Sequence, residues 1–231
     1  GAREDSAAFV ALQGRLKAAV ANRSANPNTA LTETLNAILW QRHPRTLPPT
    51  AERYDAMDLG RSLEFFRDRF SDAGDFTFFF IGSFDPDMLR PLVEQYLATL
   101  PAGGRVEQWR DPGVRPVTGV IEREVRAGRA EKSRTQIVFT GTAGHSRERA
   151  LLVGATGNVL QRRLREVLRE EQGGTYAVSV SASLARRPEE SYTVSVAFEA
   201  DPARLEELTA EVFRQIERLK EEGATDEEVG I

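Results

Sequence analysis

Apolar residues recur every three to four positions through most of the first hundred residues, the spacing of helices that bury one side. Phe9, Leu12, Leu16, Ala19 and Val20 predict a first helix. After the Asn26-Pro27-Asn28 break, Thr29 or Thr32 can cap a second helix that carries Leu35, Ile38 and Leu39. His43-Pro44 ends it, because the residue before a proline is pushed out of helical geometry. Asp58 caps a third helix, with Leu59, Leu63, Phe66 and Phe70 on one side. Then the period changes. Residues 75–82, DFTFFFIG, are aromatic and β-branched and end in glycine, which predicts a short buried strand. Phe84-Asp85-Pro86 opens another helix, with Leu89, Leu92, Val93, Tyr96 and Leu97 along its face, stopping at Leu100-Pro101.

Residues 102–119 lose all periodicity and gain Gly103, Gly104, Pro112, Gly113 and Pro116, so they read as a linker. Beyond them the order is strand, strand, helix, strand, strand, helix. Val120 to Val125 and Thr135 to Thr140 are the first two strands, and Ser146 to Gln172 is a long helix burying Val153, Leu160, Leu164, Val167 and Leu168. Tyr176, Val178 and Val180 alternate with Ala177, Ser179 and Ser181, giving one apolar face and one small, polar face. Tyr192, Val194, Val196 and Phe198 repeat the design after a probable hairpin turn at residues 187–190, and a last helix turns Leu205, Leu208, Val212, Ile216 and Leu219 inward. The fold class expected is α+β, a mostly antiparallel sheet with helices packed on one face.

Composition narrows the function classes. The chain has 231 residues, 40% of them hydrophobic, and no apolar run nears the roughly 20 residues of a membrane-spanning helix. A net charge of −4 with both signs interspersed gives no basic footprint for nucleic acid and no polybasic patch for a membrane. Cysteine is absent, which excludes thiolate chemistry and leaves the compartment open. Gly1 opens the chain in place of Met, and the capping box Thr225-Asp226-Glu227-Glu228 is followed by only three residues. Both features fit an excised fragment of a longer protein.

No self-contained active site emerges. His43 and His145 are the only histidines, and neither has a metal-spaced partner. No Gly-x-Ser-x-Gly elbow exists, and Gly141-Thr142-Ala143-Gly144 lacks the lysine of a phosphate loop. Arg162-Arg163 and Arg165-Glu166 read as the solvated side of the long helix. One corner stands out. Arg169 closes the long helix, Gly173-Gly174 suits its C-cap, and Tyr176 opens the next strand. A guanidinium and a phenol are both hydrogen-bond donors suited to a peptide carbonyl. The structural alternative is an arginine pairing with the last helical turn or a carboxylate, and a tyrosine closing the core.

The segment from Asp75-Phe76-Thr77-Phe78 through Ile81-Gly82-Ser83-Phe84-Asp85 to Tyr96-Leu97-Ala98-Thr99-Leu100-Pro101 resembles a block of the insulinase/pitrilysin zinc metallopeptidases. Leu168-Arg169-Glu170-Glu171-Gln172-Gly173-Gly174-Thr175-Tyr176 resembles their C-terminal "Leu-Arg-Glu … Gly … Tyr" segment, and Asp72-Ala73-Gly74-Asp75-Phe76 is most like the large bacterial, PqqL-like branch. The resemblance implies a fold of homologous α+β domains arranged as two halves around a chamber. Zinc is held in the N-terminal half by His-x-x-Glu-His, which this chain lacks, so it resembles the C-terminal, non-catalytic half and holds no cofactor itself. Residues 1–101 would be the C-terminal part of one domain, 102–119 a linker, and 120–231 a second domain truncated in its last helix. By motif and by their seven-residue spacing, Arg169 and Tyr176 match the pair that binds the substrate carbonyl in this family. The implied partners are the catalytic N-terminal half, on the same polypeptide or a partner subunit, and a peptide substrate. The implied activity is zinc-dependent peptide hydrolysis by the parent, with this fragment inactive alone. The other reading is a scaffold or binding subunit of a zinc-free family member. Bacterial periplasm or export is compatible with the branch.

Overall fold

Aspartate, asparagine, serine and threonine at helix starts set most of the element boundaries. The computed structural model describes residues 3–23, 26–129, 131–171 and 175–229, with backbone alone at 169–171, 175 and 176. The chain divides into two units, Gly1–Asp111 with Arg123–Arg126, and Pro112–Glu122 with Ala127–Ile231.

The first unit carries helices α1 (Ser6–Arg23), α2 (Pro27–Leu39), α3 (Ala51–Asp55), α4 (Leu59–Phe70) and α5 (Pro86–Tyr96). Asp58 and Asp85 cap α4 and α5 by accepting from the amides of Arg61 and Asp87, both at 2.8 Å. At α2 the cap is Asn26, with Pro27 opening the helix, so the expected threonine caps lie inside it. That helix also stops earlier than expected, because Gln41 and Arg42 take left-handed φ values of 52° and 54° before His43 is reached. Asp72 is the buried anchor of the unit. Its carboxylate accepts from the amides of Gly74 at 2.9 Å and of Gly103 and Arg105 at 3.0 Å. These contacts tie residues 103–105 to the end of α4. The Arg105 amide and then the Gly74 amide hold the Asp72 carboxyl below its ordinary range.

Residues 76–81 do not form the buried strand that their pattern predicts. None of the described backbone hydrogen bonds involves residues 77–83, and Phe79 and Ile81 are 83% and 97% exposed. Val120 to Val125 likewise lacks a ladder partner, with Val120 exposed. A strand exists only through its neighbours, and every described strand lies in the second unit.

There β1 (Ser133–Thr142), β2 (Thr175–Ala185) and β3 (Ser191–Ala200) form an antiparallel sheet in the order β1-β3-β2. The β2–β3 hairpin is the expected one. Helix α6 (Arg147–Arg165), started by Ser146 accepting from the Arg149 amide, and helix α7 (Leu205–Glu222) cover one face. Leu160, Leu164 and Leu168 meet Val196, Phe198 and Ala200 of β3 and Leu208 and Val212 of α7, which is the core the apolar spacing predicts. Helix and sheet approach closely at Gly157, where an added Cβ would sit 2.8 Å from the Cβ of Ala182. Arg163 is buried and not solvated as expected. Its guanidinium donates to both carboxylate oxygens of Glu228, at 2.7 and 2.8 Å. Glu228 also closes the capping box of the short helix α8 (Asp226–Val229), accepting from the Thr225 amide at 2.9 Å. A single helical turn is too short to persist by itself, and this ion pair holds it against α6.

Candidate functional site in the second unit

Strand pleating sorts the sheet residues onto two faces. Val178, Val180, Val196, Phe198 and Ile137 lie with the core. The opposite face carries Ser179, Ser181 and Ser183 of β2, Thr193 and Ser195 of β3, and Gln136 and Thr140 of β1. Ser181 stands beside Ser195 and Ser183 beside Thr193 in the register, so small hydroxyl side chains run across the sheet. Gln136 Nε2 reaches Ser195 Oγ at 3.4 Å, and Arg134 and Glu199 face each other 3.8 Å apart. The face is flat, polar and narrow in side-chain size, suited to an extended chain lying across it.

The corner that holds Arg169 and Tyr176 lies at one end of this sheet. Helix α6 passes into a π-helical turn over Glu166–Glu171, and Arg169 lies on that turn. Such widened turns recur at functional sites. Leu168, fully buried, fixes the turn to the core. The backbone of Tyr176 belongs to β2, where the register slips: Thr175 pairs with Ala200, and Val178 with Phe198. Tyr176 and Ala177 together thus stand against one residue, Glu199, as in a β-bulge, a device that re-aims side chains at sheet ends. The side chains of Arg169 and Tyr176, and Gly173-Gly174 between them, lie outside the described residues. The Arg134–Glu199 pair shares this row. Sequence alternation alone puts these two on a polar face, but only the register brings them to the corner.

A metal has no seat among the described residues. No three His, Asp or Glu side chains are grouped so as to hold one. His43 Nδ1 instead accepts from the Arg45 amide at 3.2 Å. The residues present therefore do not fit zinc.

The profile of the peptidase M16 inactive domain matches residues 57–230. The chain belongs to the peptidase M16 inactive-domain family. Within it, the chain is 26% identical over 222 residues to a zinc protease PQQL-like protein of Arabidopsis thaliana, covering 90% of this chain and 23% of that protein. The crystal structure of the periplasmic protease PqqL from Escherichia coli superimposes with a TM-score of 0.83 at 19% identity, over 95% of this chain and 24% of that one. A crystal structure of a peptidase M16 inactive domain from Pseudomonas fluorescens superimposes with a TM-score of 0.72 at 18% identity, over 97% of this chain and 54% of that one. This M16 inactive domain thus spans about a quarter of the curated relative it matches, and the solved structures share its fold. No described helix is long and apolar enough to cross a membrane.

Proposed function

We propose that this chain is part of the non-catalytic C-terminal half of a zinc-dependent endopeptidase, forming a wall of the chamber in which a peptide is held. The observation that carries the reading is the uncovered sheet face, whose cross-strand rows of small hydroxyl side chains end at the bulge bearing Tyr176. Ser179, Ser181, Thr193 and Ser195 offer donors and acceptors to a peptide backbone without bulk that would select one side chain. Arg169 and Tyr176 donate to the substrate carbonyl oxygen, stabilising the negative charge that develops there during hydrolysis. The Arg134–Glu199 pair borders that position and orients the charge around it. The zinc that the relatives' names imply belongs to the N-terminal half, on the same polypeptide or a partner subunit. By itself this chain hydrolyses nothing. The parent is placed in the bacterial periplasm, the compartment named for the E. coli neighbour.

The test is peptide hydrolysis by the full-length parent carrying Arg169→Ala or Tyr176→Phe. Each substitution should lower kcat/KM by about 100-fold, the usual cost of one lost oxyanion donor. Unchanged kcat/KM in both variants would overturn the assigned roles. A parent with no hydrolysis at all, zinc-loaded or not, would favour the scaffold reading.

A further inference from the structure

Residues 76–81 are the least satisfied apolar stretch of the molecule. Phe76, Phe78 and Phe80 line an apolar groove of about 490 Å³ with Val93 and Leu97 of α5. Phe70 of α4 stacks on Phe76 with ring centroids 5.4 Å apart. One side of the segment therefore rests on helices. Along the other, Phe79 is 83% and Ile81 97% exposed. The backbone from Phe76 leaves in extended geometry, at φ −108° and ψ 146°, and none of the described backbone hydrogen bonds involves residues 77–83. An extended chain with apolar residues on both sides and open hydrogen-bonding edges has the design of an interior strand.

We infer that Phe76–Ile81 joins a sheet as an interior strand, and that the neighbouring strands come from a portion of the M16 inactive domain that this chain does not represent. The partner's chemistry is set by the segment: strand edges that supply amides and carbonyls, and apolar side chains that continue both faces. The source is argued from length. This chain is matched almost entirely by the Pseudomonas inactive-domain structure, yet that structure contains nearly as much polypeptide again. A second copy of this chain is a poorer occupant. It brings one six-residue strand, and a two-stranded ribbon is marginal in water. It also leaves the outer edge of each strand and the Phe79 side uncovered. The proposal is independent of the peptide-binding reading above.

The experiment is amide hydrogen exchange followed across residues 77–81, in the full-length parent and in this 231-residue chain alone. In the parent these amides should exchange roughly 100-fold more slowly, or slower still, than in the isolated chain, because ladder hydrogen bonds must open first. Equal, fast exchange in both proteins would overturn the inference. So would protection in the isolated chain that grows with its concentration alongside a dimer in light scattering, since the occupant would then be a second copy.

Discussion

Arg163 shows how far one side chain can depart from its sequence context. Beside Arg162 and Arg165 it reads as helix surface, yet it is buried against Glu228, sixty-five residues away. No local pattern encodes that distance. The capping box around Glu228 was legible, and its second role was not, because a carboxylate in a helix's first turn serves the helix whether or not an arginine meets it. Hydrogen bonding to Arg163 lowers the Glu228 pKa from its ordinary 4.5 to about 2, with the Thr225 amide helping and burial opposing. The folded-state value lies below the unfolded one. The stabilisation is therefore fully present above about pH 5 and is lost as pH falls toward 2. It amounts to on the order of 2–3 kcal/mol. Glu228→Gln should reduce urea stability at pH 7 by about that much, and the gap from wild type should close at pH 2.5. A gap of constant size across that range would mean the ion pair is not its source.

Among elements, the second unit was the more readable. Its alternating strands and its helix faces follow from apolar spacing, since burial on one face leaves a period that composition cannot hide. What the spacing omits is contact distance. Gly157 sits inside α6, where glycine lowers helix propensity, and the reason is the Ala182 Cβ only 2.8 Å from where its own Cβ would be. Gly157→Ala should therefore destabilise the chain by about 1–3 kcal/mol, despite the better helix former, because the helix must back away from β2. Ala182→Gly in the same chain should recover most of that loss. Equilibrium denaturation of both single variants and the double variant measures the coupling. At the candidate site, the helix–strand corner was legible from Arg169, the glycines and Tyr176. The bulge was not, because strand register depends on β3, and no property of residues 175–178 announces which partner each will meet.

At the scale of the whole molecule the two units differ in how their apolar surface is satisfied. The described buried apolar side chains all belong to the second unit, from Val159 to Val212. The first has capped helices, the Asp72 anchor and surface ion pairs such as Lys17–Asp55 at 2.6 Å, which contribute little when exposed. The DFTFFFIG pattern correctly signalled a segment made for burial, and failed only in assuming the burial partner was within reach. Limited proteolysis of this chain should accordingly cut within residues 3–111 well before it cuts within 133–222, and heat should not unfold the two together. Simultaneous loss of both halves would show that they stabilise each other. One contact in the second unit bears on self-association. Gln161 Oε1 accepts from the Val180 amide at 3.1 Å, so a helix side chain occupies a donor on the border strand β2. A chain seeking to lengthen the sheet along that border must first evict the glutamine. The molecule thereby carries its own guard against fibre-like stacking on the side where β2 would otherwise be adhesive.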